Sequence, residues 1–158
     1  MAGRETPATR AAKAAGITYA LHEYDHDPRA ASFAGEAADA LGLDPRRVLK
    51  TLVVSVGDEL TVCVVPSTDQ LDLKAAGKRA AMADTARAEK VTGYVAGGIS
   101  PLGQRRRLPT LVDATALTHD TVYVSAGRRG LEIELAPGDL VALTGADVRD
   151  LRRPGATQ

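Results

Sequence analysis

The sequence predicts an α+β domain built on a mixed sheet, and three observations carry that prediction. Leu49 to Val56 and Glu59 to Val65 are two nearly all-apolar runs joined by Gly57-Asp58, a two-residue hairpin signature, so the hairpin is central. Helical stretches with readable caps are interspersed with strand-like runs. No regular alternation of strand, helix and strand accompanies them.

The elements follow in order. Thr6-Pro7 opens a helix as N-cap and first helical residue, and Gly16 ends it. Ile17 to Tyr24 alternates like a strand, and Asp25-His26-Asp27-Pro28 breaks it. Glu36 to Leu41 reads as a helix closed by Gly42, and Asp44-Pro45 starts a short helical turn. After the hairpin, Leu71 to Arg79 is read as helix despite Gly77, and Thr85 to Thr92 as a second helix ending at Gly93. Gly97 to Pro109 is punctuated by glycine and proline and reads as an ordered loop. Thr110 to Asp113, Thr121 to Ser125 and Leu131 to Leu135 are strands. Pro137-Gly138-Asp139 leads into a last short helix near Leu140 to Leu143.

The 158 residues are read as one domain, 1–158, with a core of about 6–145 and a frayed tail over 152–158. A chain of this size buries roughly 70% of its unfolded surface and needs no covalent staple. Its one cysteine, Cys63, excludes an internal disulfide and fits a reducing compartment. The first residues lack the apolar region of a secretory signal, and no apolar run reaches the ~20 residues of a membrane span. The expected location is the cytoplasm.

Lys and Arg total 20 against 20 Asp and Glu, whereas a tight non-specific nucleic-acid binder is usually basic overall. Positive charge is instead clustered, at Arg105-Arg106-Arg107, Arg128-Arg129 and Arg152-Arg153. Phe33 and four tyrosines are too few aromatics for a broad base-stacking platform.

Lys50 is the most telling residue, because it interrupts Val48-Leu49-Lys50-Thr51-Leu52-Val53-Val54. A cation there costs several kcal/mol, roughly, unless it is paired, lines a wet pocket, or snorkels to solvent at a sheet edge. Gly97-Gly98-Ile99-Ser100-Pro101-Leu102-Gly103 is the second signal, running into Arg105 to Arg107. The arginines are either a solvated surface or phosphate contacts. Cys63, mid-strand, reads as structural. His22 and His26 with Asp25 and Asp27 straddle a strand end and make a poor metal set, so no metal is expected. Ser100 and Ser125 lack a nucleophile elbow, and no dinucleotide or P-loop fingerprint occurs. The residues alone lead to an α+β domain with a pocket for a polar, phosphorylated ligand.

Several segments carry a resemblance. Lys50-Thr51-Leu52, Gln70-Leu71-Asp72-Leu73-Lys74, Thr92-Gly93-Tyr94, Gly97 to Gly103, Arg107-Leu108-Pro109 and Gly130-Leu131-Glu132 resemble the YbaK/EbsC family. Its members are free-standing bacterial relatives of the editing domain inserted in prolyl-tRNA synthetases, and the likeness runs from Thr6-Pro7 to about Leu143. It implies a partly barrel-like sheet with flanking helices. It also implies a trans-editing aminoacyl-tRNA deacylase, without cofactor, that clears Cys-tRNA(Pro) with prolyl-tRNA synthetase as partner. Cysteine is too close to proline in size for rejection by binding alone. The cysteine thiol would attack its own ester and leave as a thiolactone, so the protein needs only to position and stabilise. By matching position, Lys50 would anchor the ester. Gly97, with Pro101 closing its G-x-x-x-P segment, would present backbone donors to the carbonyl. Tyr24, Phe33, Thr51, Gly98, Ser100, Ser125 and Glu132 would line the substrate site, Glu132 standing where the family often has Asp. Arg105, Arg106 and Arg107 would follow the tRNA backbone. A deacylase for another misacylated tRNA such as Ala-tRNA, or a non-catalytic module binding a tRNA end or nucleotide, are the other readings.

Overall fold

Most helices begin on a side chain that accepts an N–H their first turn cannot use. In the computed structural model, which describes residues 4–27 and 33–153 (side chains from 35 in the second stretch), α1 spans Pro7–Ala15. Thr6 accepts from Thr9 N–H, Thr9 reciprocates to Thr6 N–H, and Gly16 closes the helix at φ 70°. Asp44 caps a 3₁₀ turn over Pro45–Arg47, Asp72 caps α3 (Leu73–Ala76), and Asp84 caps α4 (Thr85–Thr92). α2 runs over Phe33–Leu41, and α5 over Pro137–Thr144 on its proline alone.

The strands are β1 (Tyr19–Glu23), β2 (Leu49–Val56), β3 (Glu59–Pro66), β4 (Ala81–Met82), β5 (Thr110–Asp113), β6 (Val122–Arg128), β7 (Leu131–Leu135) and β8 (Asp147–Arg149). They form two sheets, ordered β1-β7-β6 and β4-β2-β3-β5-β8. The first is antiparallel; in the second, β3–β5 and β5–β8 are parallel, so the sheet is mixed with the hairpin inside it. Among the described residues one isolated bridge, Val48 to Tyr123, ties the two sheets together.

Alternation along the hairpin sorts its residues into two cores. Leu49, Val53, Val62 and Val64 join the main core with β6, β7, α1 and α5. Val54, Cys63 and Val65 face a second cluster closed by Leu111 and Leu151. Each fully buried valine contributes about 1.5–3 kcal/mol. A third cluster packs Ala37 and Ala38 of α2 on Val48 and Tyr123.

Four expectations need correction. The helix expected over 71–79 is one turn, because the extended Gly77 stops it. The strand expected to end at Ser125 continues through a bulge to Arg128, and the last helix begins at Pro137. β4 and β8, two and three exposed residues long, carry no readable period. The tail is tied down further than expected, since Arg152 bridges Leu71 and Arg153 N–H donates to Gln70 O; residues 154–158 lie outside the described residues.

Candidate active site

Val48, the residue before β2, bridges to Tyr123 of β6, and β2 is paired at Val54 and Ser55 with β4. Between those points, on the side away from β3, its edge has no strand partner among the described residues. A cavity of about 350 Å³ lies along this gap, which is why five consecutive residues, Leu49 to Val53, line it. Its volume is at the small end of ligand pockets, roughly 300–1,000 Å³. Met82, Ala83 and α4 form one wall. Tyr24, Ser125 and Glu132 from the other sheet form the opposite wall, and Ala96, Gly97 and Ile99 supply a loop.

Lys50 is half-buried, and its ammonium makes no hydrogen bond or ion pair among the described residues. Burial lowers its pKa, and the Asp69 charge opposes that shift. Thr51 Oγ1 is buried without a hydrogen-bond partner. Ser125 sits opposite Glu132 across β6 and β7, its Oγ accepting Gly127 N–H at 3.2 Å. Glu132 is 6% exposed, and its carboxyl has no hydrogen bond among the described residues. Burial pushes its carboxyl up to about 8, so it is mostly neutral at pH 7. Tyr24 is pushed up to about 12, by burial first and by the Glu132 charge second.

Gly97 takes φ 87°, a left-handed conformation that glycine adopts freely. Gly98 is buried behind it. A Cβ there would stand 2.9 Å from Arg128 Cα, so loop and β6–β7 turn pack backbone on backbone.

Of the residues expected at the site, Tyr24, Lys50, Thr51, Gly97, Ser125 and Glu132 are brought together here. Gly98, Ser100 and Pro101 do not line the cavity. Ser100 is fully buried and its Oγ accepts Leu102 N–H at 3.1 Å, which shapes the loop. Pro101 and Arg107 line a separate cavity of about 240 Å³ beside Leu143 and Thr144. Arg105 and Arg106 are exposed beyond α4, their N–H groups donating to Thr92 and Val91 carbonyls. Phe33 opens α2, but its side chain lies outside the described residues. Cys63 is fully buried in the second cluster, where burial pushes its thiol up to about 11. His22 and His26 each meet a carboxylate, Glu134 and Glu36, at 2.9 Å. No group of three metal-ligating side chains forms among the described residues.

Sequence reasoning missed the small apolar wall of Ala83, Ala88 and Ala96, because single alanines carry no signal. It also missed what holds the Gly97 loop. Ala96 N–H donates to Glu89 Oε2 at 2.7 Å, while Ala96 O accepts from Arg129 Nη2 and Nε at 2.7 and 3.0 Å.

Residues 27–143 match the model of the aminoacyl-tRNA editing domain. EbsC of Enterococcus faecalis (strain ATCC 700802 / V583), a candidate Cys-tRNA(Pro)/Cys-tRNA(Cys) deacylase, is 36% identical over 125 residues, covering 75% of this chain and 76% of EbsC. The crystal structure of a candidate trans-editing enzyme for prolyl tRNA synthetase superposes with a TM-score of 0.79 at 27% identity, over 94% of this chain and 99% of that one. That of the hypothetical protein APE2540 gives 0.82 at 28% identity, over 94% and 100%. With a model match across most of its length, this chain belongs to the aminoacyl-tRNA editing domain family.

Proposed function

We propose that this chain is a trans-editing deacylase that removes cysteine from Cys-tRNA(Pro). The observation that carries the reading is a cavity with a cation, an orphan hydroxyl and a glycine loop, but no activated nucleophile among its described lining residues. Cys63 lies outside the cavity with its thiol well above neutral, and neither the Thr51 nor the Ser125 hydroxyl is hydrogen-bonded to a base among the described residues. Chemistry therefore falls to the substrate. Its thiol sulfur attacks the ester carbonyl carbon, the bond to the ribose oxygen breaks, and the thiol proton ends on that oxygen. The products are a thiolactone and free tRNA. Lys50 holds the ester end or the adjacent phosphate, Gly97 N–H meets the developing oxyanion, and Thr51 and Glu132 fix the aminoacyl group.

The names of the relatives support cysteine as the amino acid and prolyl-tRNA synthetase as the partner. With a net charge of zero, selection of one tRNA draws on that partner, at the cytoplasmic site of translation. The test is a deacylation panel on Cys-, Ala-, Ser- and Pro-tRNA(Pro), run with wild type and Cys63→Ala. Cys-tRNA(Pro) should be cleared fastest, the seryl ester much more slowly, and Cys63→Ala should match wild type. Equal rates on the cysteinyl and seryl esters would overturn thiol assistance, and a preference for the alanyl ester would reassign the substrate.

A further inference from the structure

Resting on the reading of the cavity as a deacylation site, we propose that Glu89 and Arg129 are positioning residues that hold the Ala96–Gly97 peptide with its N–H aimed into the cavity. Both backbone polar groups of Ala96 are taken by charged side chains from different elements. Glu89, on α4, accepts the N–H at 2.7 Å. Arg129, in the β6–β7 turn, grips the carbonyl through two nitrogens at 2.7 and 3.0 Å. Neither Glu89 nor Arg129 lines the cavity, whereas Ala96 and Gly97 both do. Hydrogen bonds to ionised partners are roughly twice as strong as neutral ones, so this residue is unusually well fixed for a loop.

The direction follows from peptide geometry. The described residues contain no cis bond, and in a trans peptide the carbonyl and the next N–H point in opposite directions. The guanidinium holds the Ala96 carbonyl on Arg129, which does not line the cavity. The Gly97 N–H is thereby turned the other way; Gly97 itself lines the cavity, and this N–H has no backbone partner among the described residues. Gly98 N–H donates to Val95 O at 2.8 Å and closes the turn behind it. The tight seat of Gly98 on Arg128 keeps the turn and the loop in register. A donor fixed before substrate arrives needs no reorganisation in the transition state.

The experiment uses the full chain with Arg129→Gln, Arg129→Lys and Glu89→Gln. Single-turnover deacylation of Cys-tRNA(Pro) should slow about 10-fold or more in Arg129→Gln, the loss expected when a donor is misaimed, while tRNA Kd stays within about threefold. Arg129→Lys, which keeps one charged donor, should recover part of the rate, and Glu89→Gln should lie between it and wild type. Independently of substrate, the Gly97 amide resonance should shift, and its hydrogen exchange quicken, in Arg129→Gln. Weakened binding at an unchanged rate would make Arg129 a phosphate contact and overturn the proposal. So would an unmoved Gly97 amide. A wild-type chain inactive on every ester but with a responsive Gly97 amide would instead count against the deacylase reading, leaving the clamp in place.

Discussion

Lys50 and Glu132 place two ionisable groups in one cavity, and burial pushes both toward neutrality. They differed in how readable they were. Lys50 broke an apolar run and announced itself. Glu132 sits in Leu131-Glu132-Ile133-Glu134-Leu135, where alternation reads both glutamates as solvent-facing; only the family resemblance marked it. The difference arises because α2 covers that face of the sheet, a tertiary event with no local trace. Lys50→Ala should fold normally, since it removes a desolvated charge, and should lose about 10²–10³-fold in deacylation rate, as when a transition-state donor is deleted. Near wild-type turnover would end its role as anchor. Glu132 makes a prediction in pH. Its folded carboxyl keeps a proton that the unfolded chain releases, so stability from this group falls as pH rises from about 4.5 to about 8 and then levels. Glu132→Gln should flatten that slope in denaturant midpoints between pH 5 and pH 9. A difference between wild type and variant that does not change with pH would show the carboxylate to be ionised in the fold.

Caps made the helices legible, because Thr6 and Asp44 act locally and were read directly from their types and spacing. Elements formed by tertiary pairing were not legible. β4 exists because Val54 and Ser55 offer a partner, and β8 because β5 does. The Gly97 to Gly103 loop was legible as ordered, but which glycine does what was not. At φ 87°, Gly97→Ala carries a backbone cost of about 1–2 kcal/mol. If its N–H serves the carbonyl, the single-turnover rate should drop more than 10-fold while tRNA Kd moves less than threefold. An unchanged rate with weakened binding would move Gly97 from chemistry to docking.

The partition into two sheets could not be read from the chain, because the parallel pairing of β3 with β5 spans two intervening helices. Charge distribution is also a property of the whole molecule. Arg4, Arg46, Arg47, Arg128 and Arg152 are each engaged by a carboxylate. Arg105, Arg106 and Arg107 have no such partner among the described residues and stand exposed. On a neutral protein, we propose that these three guanidiniums meet acceptor-stem phosphates. Converting all three to Gln should weaken tRNA binding and flatten its dependence on salt, by roughly 0.7 to 0.9 in logarithmic slope for each phosphate no longer neutralised. Unchanged slope and affinity would leave the cluster as solvated surface.

The gap along β2 has a consequence for solubility. Unpaired strand N–H and C=O groups are a template on which another chain can add a strand, and lysine is a common safeguard at such edges. Lys50 stands within this gap, so a second copy pairing there would have to bury an ammonium without a partner. The residue proposed to hold the substrate would then also oppose strand addition by a second copy when no substrate covers the edge. Lys50→Val should self-associate on mild heating, seen as growth in light scattering, whereas Lys50→Glu, equally inactive but still charged, should remain dispersed. Equal dispersion of both would show that the cavity walls alone guard the edge.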